Sequence, residues 1–175
     1  MIAELRQYTL HPGKRDTLLE LFNREFLHAQ AECGMPVLGQ FIDLDDPDRF
    51  VWFRGFESME RRKEALTSFY SGPVWLANRD AANATMIDSD DVLLLRHVEG
   101  EFVFDGNPYV ITVCAASELE HARGKGVVLQ SEHAENTYPR LPIREGEDVV
   151  VVISRGEVEL ANVVQKIRVQ RSGGR

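Results

Sequence analysis

Trp52 and Arg54 stand two residues apart in the strand-like run RFVWFRGF, so they share one face with Phe50 and Phe56 while Val51, Phe53 and Gly55 take the other. An arginine between large aromatics on a half-buried sheet needs an anionic partner, because an unpaired buried charge is very costly. Glu4, in the opening run IAELRQYTL, shares a face with Ile2, Arg6, Tyr8 and Leu10 and could supply that partner. Two readings follow. One is a structural ion pair wrapped in aromatic packing. The other is a cavity in which Arg6, Tyr8, Trp52 and Arg54 hold a ligand carboxylate, carbonyl or phosphate, using arginine's fork of donors.

In ANRDAANATM, Arg79 and Asn83 lie one helical turn apart, with Asp80 adjacent to Arg79 rather than facing it. They either close one end of a pocket or serve as a surface ion pair and a helix-end cap. Further along, SEHAENTYPRLPIREGE offers Glu132 and Arg144 as additional ligand-binding candidates. His133 points to the opposite strand face from Glu132, so the two do not act together as acid and base unless the strand bulges. Arg140 and Arg144 are expected to reach back onto the fold or across to a partner chain.

His28 lies on a long helix where it could approach the sheet, but one histidine without a matched pocket makes no haem site. Cys33 and Cys114 are far apart, with no CxxC and no neighbouring histidine pair to suggest zinc. GxGxxG, GxxxxGK, GxSxG and HExxH are all missing from the sequence, which argues against dinucleotides, nucleoside triphosphates, serine hydrolysis and zinc proteolysis. The residues call for no metal and no cofactor.

These groups have to be positioned by a chain of 175 residues, long enough to bury a core without disulfide or metal staples. It is 43% hydrophobic and 27% charged, with a net charge of −8 that disfavours nucleic acid and anionic membrane surfaces. The opening MIAELRQYTL alternates apolar and polar residues and does not read as a signal peptide. Apolar runs such as that from Asp148 to Ile153 are too short to cross a bilayer as a helix. A soluble cytoplasmic protein is expected.

The first strand spans Ile2 to Leu10. A helix from Lys14 to Cys33 follows, with Leu18, Phe22, Phe26 and Ala29 at helical spacing. Met35–Leu44 and Arg49–Glu57 form a hairpin around the DDPD turn. Ser58 caps a helix whose apolar side is Met59, Leu66 and Phe69, and Pro73 opens another running to about Ala84. Asp91–Val98 completes a strand, helix, strand, strand, helix, strand order, the split βαβ unit of ferredoxin-like folds. Tyr109–Ala115, Val127–Ala134, Asp148–Ser154 and Gln165–Gln170 supply four more strands. The helices between them are poor: SELEHARGKG is short, and SRGEVELANV offers two turns at most.

The motifs ELRQYTLHPGKRDTLLELF, DPDRFVWFRGF and NTYPRLPIREGEDVVVV, with QKIRVQR near the end, resemble the NIPSNAP family over nearly the whole chain. The poor helices make the second half a degenerate copy of the module, a reading preferred to a separate all-β appendage, and the resemblance implies a dimeric α/β-barrel fold with two ferredoxin-like modules in one chain and a homodimer. It implies little about chemistry. Residues 1–99 and 100–175 are the expected halves, packed as one α+β unit. Two functions are expected as alternatives: a binding protein whose barrel pocket takes a small, partly apolar molecule with an anionic or carbonyl group, or a cofactor-independent monooxygenase, isomerase or lyase. In the second, Tyr8 and Arg54 would polarise a substrate oxygen and a carboxylate such as Glu4 would move a proton.

Overall fold

The computed structural model describes residues 1–173. Its eight strands are β1 (Ile2–Leu10), β2 (Val37–Asp43), β3 (Arg49–Phe56), β4 (Met86–Glu99), β5 (Pro108–Ala115), β6 (Val127–Ser131), β7 (Val149–Ser154) and β8 (Val163–Arg171). All pairings are antiparallel, and the strands close into a barrel in the order β1, β3, β2, β8, β5, β7, β6, β4. The tandem ferredoxin-like architecture expected from the sequence is the one observed.

Alternation along the strands sends one set of side chains inward. Ala3 and Leu5 of β1, Val51 and Phe53 of β3, Ile111 and Val113 of β5, and Val151 and Ile153 of β7 meet there with residues from the other four strands. Phe102 and Phe104 pack against the same cluster. The barrel interior is a filled apolar core.

The opposite set faces outward. Over β1, β3 and β4 it is covered by α1 (Arg15–Leu21), a π turn (Phe22–Phe26) and α2 (Leu27–Glu32), followed later by α3 (Met59–Tyr70) and α4 (Pro73–Asn83). The first three form one rod from residue 15 to 32, and the wider π turn changes its phase. The inward residue after Phe26 is therefore the buried Gln30, whereas Ala29, expected from regular spacing, is only half-buried. Gly34, at φ 86°, ends the rod in a conformation that favours glycine. Ser58 Oγ accepts from Arg61 N at 3.2 Å and caps α3, and Pro73 opens α4 as expected.

The second half is covered more thinly. A 3₁₀ turn at Ala116–Glu118 leads into the four-residue α5 (Leu119–Ala122), and 155–162 forms no helix. In that segment Val158 and Leu160, two residues apart, both pack onto the sheet, a period that suits extended chain rather than helix. β6 stops at Ser131, short of the expected Ala134, because residues 132–148 leave the barrel as a strap across the first half. No helix among the described residues is long and apolar enough to cross a membrane.

Candidate functional site

The register of β1 against β3 places Glu4 opposite Arg54 and Arg6 opposite Trp52 on the outward face. Glu4 is fully buried and holds three guanidiniums. Its Oε2 accepts from Arg6 Nη1 and Arg54 Nε, both at 2.7 Å, and its Oε1 accepts from Arg62 Nε at 2.9 Å. Arg62 Nη2 lies 2.8 Å from the same oxygen, off the hydrogen-bonding axis. The cluster carries three positive charges against one negative.

Two tyrosines and an amide extend it. Arg6 Nε donates to Tyr8 Oη at 3.1 Å, and Arg54 Nη1 donates to Tyr70 Oη and to Gln30 Oε1, each at 3.2 Å. The guanidiniums also lie over rings, Arg6 and Arg54 being 5.7 and 5.3 Å from the Trp52 centroid. Burial alone would raise the Glu4 pKa, but Arg54, Arg6 and Arg62 override it and hold the carboxyl well below the usual range. Arg62 shows the surplus from the other side. Burial and the neighbouring Arg54 and Arg6 charges outweigh Glu4 and lower its pKa.

Beside this cluster, between the outward face and the helices, lies a cavity of about 90 Å³. Arg6, Tyr8, Trp52 and Tyr70 give it a polar side, and Phe22, Phe26, Phe69 and Trp75 give it an aromatic one. Its donors are incompletely used. Trp52 Nε1 is buried without a partner, as is Nη2 of Arg54, which stands behind the cavity rather than in its wall. Arg6 spends three of its N–H groups, on Tyr8, Glu4 and Ser89 O at 3.4 Å, leaving two of the five a guanidinium carries. Tyr8 and Tyr70 each accept from an arginine, which leaves their own protons to donate. Burial pushes the Tyr8 pKa up, so the hydroxyl stays a donor.

The structure thus brings together Arg6, Tyr8, Trp52 and Arg54, on the outer side of the sheet rather than inside the barrel. Asn83 also lines the cavity, exposed at the end of α4. Arg79 does not. It is solvent-facing, 3.8 Å from Asp80, the surface pair of the plainer reading. Glu132 and Arg144 sit apart, around a separate hollow of about 310 Å³ on the strap. There Glu132 Oε1 accepts from Ala134 N, and Arg144 pairs with Glu147 at 2.7 Å and Asp91 at 3.5 Å. His28 points to solvent, 3.2 Å from Glu32, and does not face the sheet. Among the described residues no group of histidine, cysteine and acidic side chains could hold a metal ion.

Sequence reasoning missed Arg62, Gln30, Tyr70, Trp75 and Leu141. A signal for Arg62 was present, since it lies three residues after Met59 and four before Leu66, on the apolar stripe of α3. Gln30 was hidden by the π turn. Leu141 lies on the strap, far away in sequence, where no local periodicity could place it.

Over residues 3–99 the chain matches the model of the NIPSNAP family. No curated protein matches it. An Agrobacterium tumefaciens protein of solved structure superposes with a TM-score of 0.53 at 19% identity, covering 59% of this chain and 100% of its own. A NIPSNAP family protein from the same organism gives 0.52 at 22%, covering 56% and 93%. A proposed monooxygenase from Lactobacillus acidophilus gives 0.60 at 12%, covering 97% and 93%. At these identities the likeness speaks for the fold, one module in the first two and both in the third.

Proposed function

This chain belongs to the NIPSNAP family, and we propose that its sheet–helix cavity binds a small organic molecule through a carboxylate or another oxygen-centred anion. The observation that carries this reading is the surplus of buried positive charge. Three guanidiniums surround one carboxylate next to a cavity where Trp52 Nε1 has no partner. A purely structural network would be expected to balance its charges, since burying unpaired ones is costly. An anion held by Arg6, Tyr8, Tyr70 and Trp52 would offset the surplus, while the aromatic walls would take the apolar remainder.

The catalytic alternative finds less support. Among the described residues no carboxylate and no histidine lines the cavity, and Glu4 is buried under three arginines that hold it ionised. The site can stabilise a negative oxygen but offers no general base. The resemblance to a proposed monooxygenase is one of fold.

A homodimer is a further proposal, resting on the sequence resemblance. Because the barrel is closed, a second copy would have to meet it through outer surfaces, and light scattering distinguishes 19.9 kDa from twice that mass. A cytoplasmic location is likewise proposed, in keeping with the free thiols of Cys33 and Cys114.

The binding test uses the two tryptophans of the chain. Their indole N–H signals are separable in a ¹H–¹⁵N spectrum, and Trp75→Phe assigns them. Titration with propionate is expected to move the Trp52 signal, with affinity reduced about tenfold or more in Arg6→Met, in line with roughly 1.5–3 kcal/mol for a hydrogen bond to a charged group. Arg79→Ala should bind as the native protein does. A Trp52 signal that stays still with propionate and other carboxylates, or Arg6→Met binding undiminished, would sink the reading. Arg6→Met should remain folded, because Glu4 keeps Arg54 and Arg62.

A further inference from the structure

The strap, residues 132–148, hangs between β6 and β7 and is fastened to the first half along its length. Glu132 N donates to Leu94 O and Arg144 N to Val92 O, each at 2.9 Å, so both continue along β4 on the side where β6 pairs with it. In the middle, Asn136 Oδ1 and Thr137 Oγ1 accept from Arg62 Nη1 at 3.0 and 3.2 Å. Asn136 also organises the strap itself, accepting from Tyr138 N at 3.0 Å and donating from Nδ2 to Leu141 O at 2.9 Å. Tyr138 lies against Tyr70, with ring centroids 6.1 Å apart and planes inclined by 26°. The net result is that Leu141 becomes a wall of the cavity.

Its position differs from that of the buried apolar walls. Leu18, Phe22, Phe26 and Phe69 are buried core residues that hold helices to the sheet. Leu141 is only half-buried, and its backbone is fixed on both sides, by Asn136 Nδ2 at the carbonyl and by Tyr138 O at the amide. Trimming this side chain should leave the strap in place. Two further walls, Trp75 and Met86, are half-buried as well, but Trp75 packs against Phe26, Phe69 and Tyr70 and Met86 is paired with Leu10 in the sheet, whereas Leu141 belongs to no helix or strand.

The size of the space limits what can enter. An apolar cavity of about 150 Å³ accommodates a benzene ring of six carbon atoms. About 90 Å³ corresponds by proportion to roughly four non-hydrogen atoms. Resting on the reading of the preceding subsection, we infer that the site takes a carboxylate of two carbons, acetate having four non-hydrogen atoms, with three-carbon propionate at its upper limit, and that Leu141 on the strap sets this limit. The first half supplies the donors, and the second half decides how much carbon may follow the carboxylate.

The test compares acetate, propionate and benzoate by the Trp52 indole signal in native protein and in Leu141→Ala, with Leu141→Val as a milder variant should the first fail to fold. Native protein is expected to bind acetate and propionate and to take benzoate at least tenfold more weakly than propionate. Leu141→Ala should bind benzoate at least as tightly as propionate, and Leu141→Val should narrow the gap. Native protein that binds benzoate as well as propionate would overturn the inference, as would variants that keep the native order. In either case the anion-binding reading would survive. If native protein binds none of the three acids, that reading and this inference fail together.

Discussion

On the outward face of β1 and β3 stand Glu4, Arg6, Tyr8, Trp52 and Arg54, whereas on the outward face of β5, β6 and β7 stand Thr112, Cys114, Val128, Val150 and Val152. The barrel presents both faces from the same kind of antiparallel strands, so the difference lies in what covers them. The first is roofed by the rod from 15 to 32 together with α3 and α4, which bring Gln30, Arg62 and Tyr70 to the charges and set Phe22 against Phe50 and Trp52 of the sheet. The second is closed by the one-turn α5 and by Val158 and Leu160, and small β-branched residues fill it. Charge can be buried under the thicker roof because that roof carries hydrogen-bond partners. Under the thinner one, aliphatic packing takes its place.

The sharpest way to break this contrast is to remove the carboxylate on the polar side. Glu4→Ala leaves three buried guanidiniums without their anion and is expected to cost about 3–5 kcal/mol in urea unfolding. A loss below about 1 kcal/mol would show that the arginines are solvated and the face is not a buried network. Glu4 also sets an acid limb. Its folded pKa lies below the ordinary 4.5, so the native state binds fewer protons there than the unfolded chain. The stabilisation is present above about pH 4.5 and is lost as pH falls through the depressed folded value, and Glu4→Gln should flatten that part of the stability profile.

Asn136→Ala comes next. It deprives Arg62 of an acceptor and frees the strap, with an expected loss of about 1–3 kcal/mol and faster amide exchange at Leu141. On the aliphatic side, Thr112 is buried with its Oγ1 unpartnered, so Thr112→Val should be neutral or stabilising by up to about 1 kcal/mol. A marked loss there would mean that the second face depends on polar contacts after all. Arg79→Ala should change the thermal midpoint least, because its ion pair with Asp80 is exposed.

What could be read from the sequence follows the range over which each pattern acts. Strand alternation is local, and it placed Glu4, Arg6, Tyr8, Trp52 and Arg54 on one face and suggested the Glu4–Arg54 pair that the register makes. The order of strands and helices carried the ferredoxin-like halves, including the weakness of the second half's helices. The side of the sheet on which the pocket lies was not legible, because a strand's two faces look alike until the barrel's curvature is known. Nor was the role of the strap, whose contacts with Arg62 join residues 74 and 75 positions apart. Arg79 and Asn83 share a helical turn in sequence, yet only Asn83 reaches the cavity.

The π turn at Phe22–Phe26 acts as a phase shifter built into a single rod. An i→i+5 turn takes up one residue more than an α turn, so deleting one residue within it would let it close as regular helix with Gln30 still beside Arg54. Each residue advances an α-helix by about 100°, so the same deletion between Leu27 and Ala29 would swing Gln30 away by about that angle. The rod can lose a residue at one point and keep its roof in register with the charges beneath it; a few positions further on it cannot.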